Sequence, residues 1–158
     1  IYSVLVENRS GVRCKVAGLF SRRSFNIDSL AVGETDDKEV SCMTIVSSGN
    51  QRTLEQIEKQ LNKKLDIIKV RTFHEEQSIS RELMLIKVKY NRTNRKDIME
   101  VCSILKAEIV DMSKSFMMIQ ICAEPERIQL LIQMLKSISI VEVARTGTLA
   151  LPKCADNE

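Results

Sequence analysis

The 158-residue sequence predicts an α+β protein made of two ferredoxin-like sandwiches in tandem, each with the element order βαββαβ. The first observation is that short β-rich runs alternate with helical apolar stripes in that order, and that the order occurs twice. The second is that the halves match in apolar type at an offset of 73 residues, as in Ile57/Leu130 and Leu61/Met134. With 44% apolar residues, the chain has enough for two hydrophobic cores.

The first half opens with a strand at residues 1–7, which are rich in β-branched and aromatic residues. A turn follows, and Ser10 is the expected N-cap of a helix that closes at Ser24. The apolar stripe of this helix consists of Val12, Val16, Leu19 and Phe20. Residues 25–32 read as a second strand, and a switch in the parity of its apolar residues predicts a bulge near Asp28 and Ser29.

After a polar hairpin loop, residues 40–46 predict a third strand. A second helix opens within residues 50–53, where Thr53 and Gln56 fit a capping box. Residues 66–73 complete the unit as a fourth strand. The third strand is apolar on both faces, so the face of the sheet without helices is expected to be covered, either by the other half of the chain or by a second subunit.

The same order returns after a polar, aperiodic segment. Strands are predicted at residues 83–88, 107–112, 116–122 and 140–149. Asn94 is expected to cap the first helix of this half, and Pro125 occupies the first position of the second. The predicted organisation is therefore a first domain at 1–74, a linker at 75–82 and a second domain at 83–158.

Composition and motifs argue against several functions. A net charge of +3 and 4% aromatic residues do not favour nucleic-acid binding. Five cysteines without a C-x-x-C pair, beside one histidine, predict no metal site and reduced thiols that mostly pack as small apolar groups. No phosphate-binding, dinucleotide-binding or nucleophile motif occurs, so catalytic residues are not expected. No run approaches the roughly 18 apolar residues of a membrane span, and the first residues lack the features of a signal peptide.

One constellation indicates ligand binding. Asn8 and Gly11 stand between the first strand and the first helix, where Gly11 permits close approach and free N–H groups can bind a carboxylate. Asn26 begins the second strand, which the sandwich is expected to bring near Asn8 in the same or a facing subunit. Two asparagine amides there can bind an amino-acid zwitterion, because an amide both donates and accepts. The alternative is that both asparagines serve only turns.

Long segments of the chain resemble the small regulatory subunit of acetolactate synthase, also called acetohydroxyacid synthase. They are VENRSGV (Val6–Val12), VAGLFSRRSFNIDSLAVG (Val16–Gly33), MTIV (Met43–Val46), RTLEQIEKQLNK (Arg52–Lys63), SRELMLIKV (Ser80–Val88), AEIVDMS (Ala107–Ser113) and VEVARTGTLAL (Val141–Leu151). The resemblance extends over essentially the whole chain, and it implies that the first domain is an ACT domain, an amino-acid-sensing form of the sandwich.

The resemblance also implies a function. Valine would bind between the ACT domains of a homodimer at the matching positions, which are Asn8, Gly11, Val12, Asn26 and Ile27. The chain would bind and activate a large catalytic subunit and make it sensitive to feedback by valine in branched-chain amino-acid biosynthesis. That catalytic subunit would carry the thiamine diphosphate, Mg²⁺ and FAD, so this chain would have no cofactor and no catalysis of its own. The compartment would be the cytoplasm in a bacterium or the plastid in an alga or plant.

Arg13, Cys14 and Ser24 depart from the family pattern, which has small or apolar residues at these positions. Arg13 either strengthens binding of the carboxylate or disturbs the apolar side of the pocket. Two alternatives therefore stay open. The chain is an activating subunit with an altered or lost effector site, for example one responsive to leucine, or it is a stand-alone amino-acid-binding ACT protein.

Overall fold

A computed structural model describes residues 1–23 and 25–155, which form two compact units. Unit 1 contains residues 1–79 and the C-terminal segment from Thr148, and unit 2 is Ser80–Gly147. The elements of the first 72 residues are β1 (Tyr2–Glu7), α1 (Val12–Arg22), β2 (Ser29–Glu34), β3 (Val40–Val46), α2 (Gln51–Asn62) and β4 (Ile67–Thr72). The remainder forms β5 (Ser78–Lys89), α3 (Arg95–Leu105), β6 (Glu108–Met112), β7 (Phe116–Ala123), α4 (Pro125–Leu135), β8 (Ser139–Arg145) and β9 (Leu149–Pro152).

Unit 1 is an antiparallel sheet in the order β2-β3-β1-β4 that packs against α1 and α2. Alternate residues of the two central strands face the helices, because successive strand side chains point to opposite faces. The buried core consists of Tyr2, Val4, Val6, Val12, Val16, Leu19, Phe20, Met43, Ile45, Ile57 and Leu61. This unit confirms the predicted first sandwich.

Unit 2 repeats the design with the strand order β6-β7-β5-β8. Its buried core consists of Met84, Ile86, Val88, Ile98, Cys102, Leu105, Met117, Ile119, Ile121, Ala123, Ile128, Leu131 and Leu135. Pro125 is the first residue of α4, as predicted. Proline fits there because the N–H that it lacks would have no acceptor within the helix at that position. The α+β class with two βαββαβ units is therefore confirmed.

The second strand differs from its prediction at both ends. Residues 25–28 are not part of β2. Phe25 stays close to α1, because its N–H donates to the Phe20 carbonyl at 3.0 Å and the two rings pack edge-on, 6.4 Å between centroids. At its other end, β2 continues to Glu34, which the sequence placed in the hairpin loop. The pairing of β2 with β3 is regular, and the expected bulge is absent from it.

The helix starts also differ. The N-cap of α1 is Gly11 rather than Ser10, and that of α2 is Asn50, whose side chain accepts the Thr53 N–H, rather than a Thr53 capping box. Asn94 is the N-cap of α3, as predicted, but its side chain forms no cap hydrogen bond. α1 ends at Arg22, and the predicted closing residue, Ser24, lies outside the described residues.

The chain between and after the two predicted domains is more ordered than expected. In place of a linker at 75–82, Glu75–Gln77 form a short 3-10 helix and Ser78 begins β5. The polar Ser78 and Glu82 fit a strand because both are buried with hydrogen-bond partners. The last predicted strand, 140–149, is two strands, β8 and β9, separated near Gly147, whose φ of 81° breaks the extended backbone.

The segment with β9 is grouped with unit 1, and β9 pairs with β5, the strand whose first residues also belong to unit 1. Thr148 donates its N–H to the Ser29 hydroxyl at 2.8 Å, and Lys153 donates its own to the Gln77 carbonyl at 2.9 Å. Ser29 points to the face of the sheet opposite the buried Ile45, since Leu30 is the residue paired with Ile45. The C-terminal segment therefore contacts the helix-free face that the sequence expected to be covered.

Candidate functional site

The start of α1 is an open helix N-terminus. Gly11, its N-cap, has φ 86°, a left-handed conformation that glycine adopts without strain. No side chain caps the helix, and its first turn has no acidic residue. A Cβ placed on Gly11 would meet nothing within 4 Å, so space lies in front of the backbone. The Val12 N–H donates to the Arg9 carbonyl at 3.4 Å. The other N–H groups of the first turn precede the first intrahelical hydrogen bond, and with the positive end of the helix dipole they make this position suited to a carboxylate.

Val12 and Ile27 contribute less side-chain surface than the sequence implied. The Val12 side chain is 2% exposed and belongs to the core of unit 1. Ile27 is half-buried and packs against the same core. Val12 therefore offers almost no surface to a ligand, and only part of Ile27 remains as an apolar surface.

The side-chain amide of Asn8 is held on both sides. Its Nδ2 donates to Glu34 Oε1 at 3.2 Å and to the Lys38 carbonyl at 2.8 Å. Its Oδ1 accepts from Arg13 Nη2 at 3.1 Å. The same Nη2 lies 3.3 Å from the hydroxyl of Ser41, which is fully buried. Asn8 is thus the centre of a polar cluster that links the start of α1 to β2 and β3.

Asn26 lies in a different part of unit 1. Its side chain is exposed and donates to Asp28 Oδ1 at 2.5 Å, while its backbone carbonyl accepts from the Ser47 hydroxyl at 2.6 Å. The Ser47 contact places Asn26 beyond the carboxyl end of β3, whereas Asn8 donates its N–H to Glu39 just before that strand begins. A seven-residue strand at about 3.3 Å per residue is about 20 Å long.

Of the two arrangements that the sequence left open, the same subunit or a facing one, a single chain does not bring Asn8 and Asn26 together. β2 runs parallel to β1, since both are antiparallel to β3, and α1 returns the chain to the end of the sheet where β1 began. A ligand can meet both asparagines only if a second copy of the chain supplies one of them.

Two further residues of the cluster, Glu34 and Ser41, had no recognised signal in the sequence. They are directly paired across β2 and β3, so both side chains point to the face that α1 covers. Strand alternation could have found them, but only if β2 had been extended to Glu34. Cys14 is exposed, as are Cys122 and Cys154, and only Cys102 is buried, so most thiols are not core groups. Burial raises the pKa of the Cys102 thiol above its ordinary value.

Within the described ranges, no three His, Cys, Asp or Glu side chains are grouped as metal ligands would be. Among the same residues, no helix has the length and apolar character needed to cross a membrane.

Comparison with known proteins identifies the family. A model described as the AHAS small subunit-like ACT domain matches residues 2–69, and one described as the small subunit of acetolactate synthase matches residues 81–154. The acetolactate synthase small subunit of Mycolicibacterium smegmatis is 44% identical over 96% of this chain and 89% of that protein. This chain belongs to the acetolactate synthase small-subunit family.

Two further relatives cover almost the entire small subunit. The probable acetolactate synthase small subunit of Methanothermobacter thermautotrophicus is 40% identical over 97% of this chain and 92% of its own. The crystal structure of the acetolactate synthase small subunit from Thermotoga maritima superposes with a TM-score of 0.90 at 35% identity, covering 98% of this chain and 96% of that one. Unit 1 without its C-terminal segment thus corresponds to the family's ACT domain.

Proposed function

We propose that this chain is the regulatory subunit of acetolactate synthase. It binds and activates the large catalytic subunit and confers feedback inhibition by valine in branched-chain amino-acid biosynthesis. The observation that carries the proposal is the similarity to small subunits of this enzyme along nearly the whole chain, including both units. Under this proposal thiamine diphosphate, Mg²⁺ and FAD belong to the catalytic subunit.

The effector site of the proposal lies at the start of α1. The valine carboxylate binds the backbone N–H groups around Gly11 and Val12, where no side-chain cap competes with it and the Val12 N–H would give up its 3.4 Å hydrogen bond to the Arg9 carbonyl. The ammonium approaches the side-chain oxygen of Asn8 and, across a dimer interface, Asn26 of the partner subunit. The isopropyl group lies against the exposed part of Ile27 of the partner subunit, since Ile27 follows Asn26 at the other end of β3 from Gly11.

The same geometry supports a homodimer through unit 1. β2 is an edge strand whose Leu30 and Val32 are each 38% exposed. If two β2 edges pair antiparallel about a two-fold axis, the start of one strand lies beside the end of the other. The end of β2 is Glu34, which is hydrogen-bonded to Asn8. This arrangement would bring Asn26 of the partner subunit to Asn8, which a single chain does not do.

The decisive experiment is reconstitution. Acetolactate formation by the catalytic subunit is measured with and without this chain, and each mixture is titrated with valine. We expect a higher rate with the chain and inhibition by valine only in its presence, while the chain alone with thiamine diphosphate, Mg²⁺, FAD and pyruvate forms no acetolactate. Failure to co-purify with or activate the catalytic subunit would instead favour a stand-alone amino-acid-binding protein.

A further inference from the structure

We propose that Arg13 and Glu34 of the chain itself occupy the Asn8 amide that an amino-acid effector needs, and that Arg13 thereby sets how strongly this subunit responds to valine. The inference rests on the proposed function, because it concerns the same site. It identifies Arg13 as a specificity-determining residue.

The hydrogen-bonding capacity of the Asn8 side chain is already used within the chain. A side-chain amide has two donor hydrogens and one acceptor oxygen. Both donors are used within the chain, by Glu34 Oε1 and the Lys38 carbonyl, and the oxygen accepts from Arg13. An effector ammonium that approaches this oxygen must share it with a guanidinium and meets the positive charge of Arg13 at the same point. Like charges at such a distance repel, and the repulsion weakens binding of the ammonium.

The Asn8 amide is flanked by one positive and one negative side chain. An α-amino acid presents one cation and one carboxylate, and the Asn8 amide of this chain already lies between a guanidinium and a carboxylate. Arg13 is positioned there by a second contact, 3.3 Å from Nη2 to the fully buried Ser41 hydroxyl. Arg13 thus stands where the ammonium of the effector would bind, while Glu34 holds the other side of the same amide, so the chain partly satisfies its own effector site.

Binding of valine requires Arg13 to leave the side-chain oxygen of Asn8. Arg13 and Glu34 are both exposed at the surface of unit 1, so water can solvate each of them once it leaves Asn8. Valine therefore binds after Arg13 swings away, and part of the binding free energy is used to separate Arg13 from Asn8. Hydrogen bonds to charged groups of this kind correspond to a roughly tenfold to hundredfold change in affinity.

The test is calorimetric titration of valine into purified full-length chain, wild type and Arg13→Leu, with Arg9→Leu as the matched control. Arg9 carries the same charge four residues earlier, in the turn before α1, but pairs with Glu7, 3.3 Å away, rather than with Asn8. We expect Arg13→Leu to bind valine at least tenfold more tightly than wild type and Arg9→Leu to bind like wild type. In the double variant Asn8→Ala/Arg13→Leu the gain disappears, because the oxygen released by Arg13 is gone.

Equal affinity of wild type and Arg13→Leu, or an equal gain in Arg9→Leu, would overturn the inference. The inhibition assay separates this result from failure of the proposed function. If Arg13→Leu still activates the catalytic subunit but gains no affinity for valine, the role of Arg13 is wrong and the regulatory assignment stands. If no variant activates the catalytic subunit while Arg13→Leu binds valine more tightly, the assignment is wrong and the role of Arg13 stands.

Discussion

Gly11 has a backbone conformation that favours glycine, and it lies in the proposed effector site. Its φ of 86° strains any residue with a Cβ, by about 1–2 kcal/mol, although nothing lies within 4 Å of that Cβ. Gly11→Ala therefore measures strain alone, whereas Gly11→Asp adds a carboxylate where the proposed effector places its own. We expect Gly11→Asp to raise the valine concentration for half-inhibition of the reconstituted enzyme at least tenfold, and Gly11→Ala to raise it less.

Asn26→Ala gives an independent check of the same pocket from the other asparagine. It should weaken inhibition by valine without loss of activation, since Asn26 is exposed and, among the described residues, its side chain donates only to Asp28. Unchanged half-inhibition in both Gly11→Asp and Asn26→Ala, with a sensitive wild type, would refute the pocket.

Tyr2 gives a pH-dependent prediction. Burial, with a smaller contribution from the negative charge of Glu58, raises the pKa of Tyr2 to about 12, and its hydroxyl donates to the Leu54 carbonyl at 3.0 Å. The folded state therefore keeps its phenol proton at a pH where the unfolded chain, with a tyrosine pKa of about 10, loses it. Between pH 10 and 12 the folded state binds more protons, so stability falls as pH rises.

Tyr2→Phe removes this dependence together with the hydrogen bond. At pH 9 we expect the variant to be about 1 kcal/mol less stable than wild type in urea titrations. At pH 11 the difference should shrink, because only wild type is destabilised by phenol ionisation. A difference that is the same at both pH values would show that ionisation of Tyr2 is not coupled to folding.

At the scale of elements, the two helices of unit 1 begin differently: a side chain caps α2, and none caps α1. Asn50 closes the N-terminus of α2 by accepting the Thr53 N–H at 2.9 Å, whereas α1 begins at Gly11 without a side-chain cap. A capped N-terminus has fewer free N–H groups for a ligand. Of these two helices, α1 is therefore the one suited to an anion.

The exposed edge of β2 carries a prediction about assembly. Val32→Lys places a like charge on both copies of an antiparallel β2 pair, and lysine on an edge strand disfavours strand pairing. We expect light scattering at tens of micromolar to show a dimer for wild type and a larger monomer fraction for Val32→Lys. Ile68→Lys on β4, the opposite edge of the sheet, is the control and should stay dimeric. A wild-type monomer, or equal dissociation of both variants, would contradict dimerisation through β2.

At the scale of the whole molecule, the C-terminal segment connects the end of the chain to its first unit. Thr148 and Ala150 are buried, at 7% and 5% exposure, and two backbone N–H groups of the segment donate to Ser29 and Gln77. Truncation after Gly147 should therefore destabilise unit 1 by at least about 2 kcal/mol, roughly 1 kcal/mol for each of these two hydrogen bonds, since the pairing of β9 with β5 is lost as well.

Hydrogen exchange followed by mass spectrometry tests this truncation. Amides of β2 and β3 should exchange faster in the truncated chain, whereas amides of β7 in unit 2 should not change. Truncation after Lys153 keeps both hydrogen bonds and serves as the control. Faster exchange in β7 alone would assign the segment to unit 2, as the sequence had predicted.

Local patterns in the sequence determined the two sandwiches. Strand alternation and helical stripes depend on neighbouring residues, so the order of elements and nearly all core residues of the helices could be predicted. The family resemblance likewise depends on contiguous motifs such as VENRSGV. The sequence therefore predicts a binding position at the start of α1, around Asn8 and Gly11.

The tertiary structure alone decided which side chains meet. That Asn8 contacts Glu34 and Arg13, that Asn26 lies at the other end of β3, and that residues after Gly147 return to unit 1 all depend on contacts between residues distant in the chain. Such contacts are set by strand register and by the path of α1 across the sheet, where a shift of one residue turns every side chain to the other face. No local pattern in the sequence encodes that register. The contacts of the Asn8 amide with Glu34 and Arg13 therefore follow only from the folded structure.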